Sequence, residues 1–359
     1  MKALFITRKW PPAVGGMEQY SWMLARELNH LGNIEVRALP GRRDGRPPSM
    51  LGLALFICAT AFCLLRNVHK DVVHIGDLVL WPLGVVARVT NSGTQCFTTA
   101  YGLDIVYGYR SGLLPRLYRW YLRLGVRCSR RWLNVIAISN ATAQLCHEVG
   151  FERIRVIPLG VDSDRSTAVA QGDETVMAPY VLYVGRLVKR KGAAWFADQV
   201  LPRLAPDIKF VVVGAAWDKD EHAALIANAR VEYLGVVSTE KMRGLRKNAI
   251  AVVMPNVPTN GKDIEGFGLT ALEAAADGGV LVASGIEGIT DAVIDGQTGF
   301  LLRAQDPQAW ADKIQGIREW THDRRVAFVR AAQVLIRERY SWQRVARDTF
   351  AFYHESRRL

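Results

Sequence analysis

Cysteine is scarce. The 359-residue chain has five, Cys58, Cys63, Cys96, Cys128 and Cys146, an odd number with no CxxC pair. Neither a disulfide scaffold nor a cysteine zinc site is expected from that pattern, and a reduced cytosol fits better. No uncharged apolar run reaches the roughly 20 residues of a membrane span. The N-terminus lacks the apolar core and cleavage site of a signal peptide, so a cytoplasmic location is expected. Also missing are HExxH, GxSxG, a P-loop and GxGxxG. Acidic residues are outnumbered, 34 Asp+Glu against 46 Lys+Arg. With half of the residues hydrophobic and 22% charged, the chain can bury sizeable cores, and its length suits two domains.

The positive charge is uneven. Residues 1–163 hold 20 Lys+Arg against 10 Asp+Glu, and the rest 26 against 24. The first half is the basic half, suited to a polyanion or an anionic membrane surface. Residues 50–65, MLGLALFICATAFCLL, carry no charge and are flanked by Arg42, Arg43, Arg46 and Arg66. A buried helix of the first domain is expected there, with a membrane-dipping helix as the alternative. Residues 107–132 carry seven arginines between Leu113, Leu117, Trp120, Tyr121 and Leu124 at helical spacing. That pattern reads as a basic amphipathic helix for a membrane surface, or as a domain helix with arginine outward.

Short apolar strands alternate with helical segments almost throughout, the signature of βαβ units and parallel sheets. The alternation breaks at residues 163–179, a polar stretch without periodicity that reads as a linker, and then restarts. Two Rossmann-like halves follow, at 1–163 and 164–339. A final helix near 340–359 is expected to pack back on the first.

Each half opens with a strand running into glycine. The first reaches Gly15 and Gly16 before a helix. Glycine allows close backbone approach, and a helix N-terminus favours anions. The second reads YVLYVGRLVKRKG, placing Arg186 at a strand end and Lys191 five residues on. Cations at the carboxyl end of a strand suit a phosphate; a solvated basic loop is the alternative. In residues 264–276, IEGFGLTALEAAA, Glu265 and Glu273 are eight apart around a glycine loop that starts a helix. Free N–H groups there suit a diphosphate, and each carboxylate suits a sugar or ribose diol. Among seven histidines, only His74, at a strand end, reads as a possible ligand-facing group, with a structural role as the alternative. The Asp162/Asp164 and Asp218/Asp220 pairs lie in loop and linker and are read as chance, so no metal is expected.

These motifs, with VIAISNATAQL at 135–145 and VIPLGVD at 156–162, resemble the GT-B glycosyltransferases of family 4 over nearly the whole chain. The resemblance implies an α/β fold of two Rossmann-like domains facing a central cleft. It implies metal-independent, cofactor-free, retaining transfer of a sugar from a UDP- or GDP-sugar. Gly15 and Gly16 would approach the diphosphate and transferred sugar. Arg186 and Lys191 would neutralise the departing diphosphate. Glu265 would contact the donor sugar, Glu273 the ribose, and the amides at Phe267, Gly268 and Leu269 the phosphates. Two positions depart from the family pattern. Tyr101 stands where a His-Gly-x-Asp element carries histidine, which alters the expected sugar contact there and leaves Asp104 as its acid. Glu287 stands where glycine is commoner.

The expected acceptor is a glycan or a lipid-linked glycan of the cell surface, as in polysaccharide or lipopolysaccharide biosynthesis. Peripheral contact with the inner face of an anionic membrane is expected from the basic first half. A sugar-nucleotide epimerase or phosphorylase of the same fold is the rival enzyme reading. A basic nucleic-acid-binding protein is the rival of another class; Glu265 and Glu273 argue against it, and no nucleic-acid partner is expected.

Overall fold

The computed structural model describes residues 1–13, 15–42, 45, 47–66, 70–162, 179–259 and 263–356. The linker expected at 163–179 lies, except for Pro179, outside them. The described chain forms two compact units.

The first unit holds one six-stranded parallel sheet. Its elements are β1 (Lys2–Thr7), α1 (Gly16–Leu31), β2 (Asn33–Ala38), α2 (Met50–Arg66), β3 (Val72–Ile75) and α3 (Trp81–Thr90). Then come β4 (Gln95–Ala100), α4 (Leu103–Val106), α5 (Leu113–Ser129), β5 (Leu133–Ala137), α6 (Asn140–Val149) and β6 (Ile154–Val156). Strand order is β2-β1-β3-β4-β5-β6. The chain reverses direction across the sheet between β1 and β3, and open α/β sheets take ligands outside the strand ends at such a point. Apart from Lys2, β1 is buried on both faces, as a central parallel strand requires.

The second unit repeats the plan with β7 (Tyr180–Val184), α7 (Ala193–Trp195), β8 (Lys209–Val213), α8 (Lys219–Ile226), β9 (Val231–Gly235), α9 (Thr239–Asn248) and β10 (Val252–Met254). It continues through α10 (Leu269–Ala276), β11 (Leu281–Ser284), α11 (Ile289–Ala292), β12 (Phe300–Leu302), α12 (Pro307–Arg318) and α13 (His322–Arg339). Its sheet runs β12-β11-β10-β7-β8-β9, a doubly wound Rossmann order with the reversal between β7 and β10.

The last helix, α14 (Trp342–Glu355), belongs to the first unit, with residues 263–266. The unit boundary therefore falls between Gly266 and Phe267, inside the motif that sequence places wholly in the second domain. One buried bond reaches α14 through Tyr353, and two more tie its partner His74 and Tyr20 of α1 to Thr99 of β4. His74 Nδ1 lies 2.6 Å from the Tyr353 hydroxyl, His74 Nε2 2.9 Å from Thr99 Oγ1, and Tyr20 Oη 3.3 Å from the same Thr99 oxygen.

The expectation for residues 50–65 is overturned. In α2 only Thr60 and Leu64 are buried. Met50, Leu51, Leu55, Phe62 and Leu65 all face outward. Leu53, Phe56, Ile57 and Ala61 pack inward, and an inner stripe is all that one sheet face needs; the sequence is apolar on both sides. No helix among the described residues is long and apolar enough to cross a membrane.

Candidate functional site

In the second unit, β7 ends beside the reversal point, and Gly185 and Arg186 follow it. The loop is fixed by backbone pairing: Gly185 N–H donates to Val213 O (2.9 Å) and Leu187 N–H to Ala215 O (2.9 Å). Gly214 is required where these loops meet, since a Cβ there would lie 1.9 Å from Gly185 O. Arg186 is exposed, with its guanidinium 4.6 Å from the Trp217 ring centroid. That stacking restrains a long cation while leaving its N–H edge available. Lys191 is half-buried in the short turn that closes the motif. Gly192 follows at φ 70°, where a Cβ would lie 2.0 Å from Pro255 O, so only glycine lets the turn seat on the loop after β10.

Helix α10 has Gly268, φ 93°, as its N-cap, which offers no side-chain cap. Its first N–H groups have no intrahelical acceptor and point toward whatever lies beyond the N-terminus. Phe267 is buried and fixes the loop by its ring, leaving only its backbone for recognition. Leu269 opens the helix. Glu273 is one turn further on. Its Oε2 lies 2.5 Å from Arg246 Nη2, while Arg246 Nη1 lies 2.7 Å from Asp277 Oδ2. Arg246 is buried, and the Glu273 carboxylate remains about a third exposed, at 31%.

In the first unit, Gly15 caps α1 in extended conformation, and Gly16 is the first helical residue. A Cβ on Gly15 would lie 2.4 Å from Glu18 Oε2. Glu18 is buried and 3.4 Å from Lys9 Nζ. Next to them, beyond β1 and β3, Arg8 Nε lies 2.9 Å from Asp77 Oδ2. Asp77 Oδ1 accepts from Val79 N–H at 2.9 Å.

Tyr101 directly follows β4. Its ring is buried edge-on to Tyr20 at 5.5 Å, and its hydroxyl is sealed from solvent beside Ser21. The phenol therefore reaches no sugar hydroxyl in this conformation, contrary to expectation. A phenol is longer than an imidazole and turns into the core between Tyr20 and the acids beneath. Burial, with the neighbouring Tyr20 and acids, pushes its pKa well up. Asp104 Oδ1 accepts from Tyr101 N–H at 3.1 Å, so it ties its own turn. Its Oδ2 is sealed and unpartnered. Burial, and then the Asp77 charge, push its pKa up to about 7.

Glu265, half-buried, belongs to this unit. Its neighbour Gly266 is pressed against the same turn, where a Cβ would lie 2.5 Å from Tyr101 O. His74 is structural. Burial pushes its pKa down to about 3, and its two nitrogens are held by Tyr353 of α14 and Thr99 of β4. Asp218 caps α8, accepting from Asp220 N–H (3.0 Å) and Glu221 N–H (3.3 Å). Asp164 lies outside the described residues. Among the described residues, no three His, Cys, Asp or Glu side chains are placed to hold a metal ion.

Sequence reasoning missed Arg8, Asp77, Trp217 and Arg246. A signal existed for two of them. Glu273 and Asp277 stand one helical turn apart and need a cation between them, and Trp217 is an isolated tryptophan in a polar loop. Arg8 and Asp77 are joined only by sheet topology.

Two family models match the chain. Residues 14–165 match Glycosyltransferase Family 4, and residues 178–319 match Glycosyl transferases group 1. Glycogen synthase of Mycobacterium tuberculosis is 30% identical over 82% of this chain and 70% of that one. The chain belongs to the family 4 glycosyltransferases. Alpha-maltose-1-phosphate synthase of Mycolicibacterium smegmatis is 26% identical to this glycosyltransferase over 99% of both chains. Anabaena HepE, solved with UDP and glucose, shares the fold, with a TM-score of 0.70 at 20% identity over 99% of this chain and 100% of its own. The glycosyltransferase thus has the GT-B fold that the motifs imply. The reading as a nucleic-acid-binding protein falls with the family assignment. The basic excess of the first unit needs another explanation.

Proposed function

We propose that this glycosyltransferase moves a sugar from a UDP- or GDP-sugar, with retention at the anomeric carbon and without a metal, to a glycan or lipid-linked acceptor of the cell surface. The observation that carries the donor assignment is the position of Arg186. It lies just beyond β7, at the strand-order reversal of the second sheet, restrained over Trp217. HepE, crystallised with UDP and glucose, supports a uridine donor by analogy of fold.

On this reading, the N–H groups at Phe267, Gly268 and Leu269 bind the diphosphate. The Glu273 carboxylate, braced by Arg246, accepts the ribose hydroxyls. Glu265 takes hydroxyls of the donor sugar, and Gly15 and Gly16 let the backbone approach it. As the glycosidic bond breaks, negative charge grows on the leaving diphosphate. Arg186 and Lys191 are fixed cations that meet it without a proton transfer, and a group that strengthens its hold only then lowers the barrier. Retention follows the family resemblance. The acceptor class rests on the basic character of the first unit.

Turnover of UDP- and GDP-sugars, with product analysis on soluble glycans and on lipid extracts, tests the proposal. Glycoside product whose anomeric configuration matches the donor supports it. Epimerised nucleotide sugar with no glycoside, or sugar phosphate released from a glycan, contradicts it.

A further inference from the structure

Large apolar side chains are exposed unevenly over this molecule. Among the described residues nineteen are exposed, and twelve of them lie in α2 or in residues 107–124. Only four lie beyond residue 160. The outward stripe of α2 is Leu51, Leu55, Cys58, Phe62 and Leu65, at helical spacing along the full helix. The outward side of α5 is divided along its length. Leu113, Leu117, Trp120 and Leu124 form one strip, and Arg116, Arg123 and Arg127 form the strip beside it. Trp120 is 64% exposed and Leu113 71%, so neither is covered by the fold.

Both helices lie on the same face of the first sheet. α2, α3 and α5 all pack their inner sides into one core cluster, which includes Leu64, Leu83, Leu122 and Val126. Their outer sides therefore face the same way. The charge of this face has one sign. No Asp or Glu occurs between Asp104 and Glu148, nor between Asp44 and Asp71.

We propose that the outer faces of α2 and α5 together seat the protein on an anionic bilayer, lying in its surface plane. A helix of 17 residues is about 25 Å long and does not span, but it can bury one side in the headgroup region. Apolar side chains beside arginines, with tryptophan at the border, match the two chemistries of that region. A second copy of the chain fits less well. A two-fold contact would set the Arg116, Arg123 and Arg127 strip against itself. The inference does not rest on the donor assignment, since none of these residues belongs to it.

The test is vesicle co-sedimentation of the full chain. Phosphatidylglycerol–phosphatidylcholine vesicles are compared with pure phosphatidylcholine, at low salt and at 0.5 M NaCl. Binding to the anionic vesicles that falls with salt is expected. L55E/F62E and L117E/W120E should each weaken it at least tenfold, and R116E or R123E about fivefold each. Donor turnover on a soluble acceptor should stay within twofold, with unchanged melting temperature. Trp120→Phe supplies a readout that needs no loss of binding: it should remove the tryptophan fluorescence quenched by brominated lipid. Equal binding to neutral vesicles, no binding, or quenching that persists without Trp120 would overturn the proposal. So would a dimer that the same charge substitutions dissociate, which would make this face an interface between copies.

Discussion

Arg246 joins Glu273 and Asp277 through the two arms of one buried guanidinium, at 2.5 and 2.7 Å. The arrangement holds the Glu273 carboxylate at one orientation on α10 with its remaining surface open. Glu273→Gln keeps the shape and loses the charge. A charge-assisted hydrogen bond contributes about 1.5–3 kcal/mol, so nucleoside-diphosphate affinity should fall roughly 10- to 100-fold. Arg246→Met should lower the same affinity, although Arg246 itself touches no ligand in the proposal, and should lower the melting temperature by stranding two acids. Calorimetry and thermal melts on both variants separate the effects. Unchanged affinity in folded Glu273→Gln removes the ribose assignment.

Arg186→Ala and Lys191→Ala should lower kcat more than they weaken binding of the intact donor. Losing one fixed group that stabilises developing charge costs on the order of 10²–10³ in rate. The double variant should lose less than the product of the two singles if both cations serve the same phosphates. Trp217→Ala should reproduce a milder form of the Arg186 defect, and Trp217→Phe should restore it in part. A change in KM alone would make the pair ground-state phosphate binders.

Turnover should survive EDTA, because the leaving-group charge is assigned to Arg186 and Lys191. Activity abolished by EDTA and restored by Mn²⁺ would contradict that assignment and return attention to Asp218 and Asp220.

Asp104 gives a pH signature. Its folded pKa of about 7 lies above the ordinary carboxylate value, so the folded state favours the protonated form. The resulting stabilisation is complete below about pH 4 and is lost as pH rises through about 7. Asp104→Asn keeps an oxygen for Tyr101 N–H and cannot ionise. Its melting temperature relative to the wild type should therefore rise between pH 5 and pH 8. His74, whose pKa is pushed down to about 3, opposes this trend in both proteins, and the difference between them cancels it. A gap that stays flat over this range would mean that Asp104 is ionised throughout.

Much of this was legible in the sequence because its signals are local. Asn140–Val149 carries its serine cap at 139 and its glycine stop at 150, and helix α6 has those bounds. The YVLYVGR run fixes β7 and the cations after it. Glu287, where the family pattern has glycine, takes φ 53°, the left-handed conformation that favours glycine. The misreadings have one physical source: hydrophobicity does not say which face is covered. The apolar segment 50–65 was assigned inward and half of it faces out. Tyr101 was assigned to the ligand and it turns into the core. Pairings such as Arg8 with Asp77 span 69 residues and exist only once the sheet order brings β1 beside β3.

In the proposed reaction the second unit holds a nucleoside diphosphate beyond β7 and at the start of α10. Titration calorimetry of UDP and GDP into the full chain tests it most directly, with wild type, Arg186→Ala and Glu273→Gln run side by side. Saturable binding of one of the two nucleotides is expected, at least tenfold weaker in each variant at unchanged melting temperature. Equal affinity in all three folded proteins, or no binding of either nucleotide to the wild type, would contradict it.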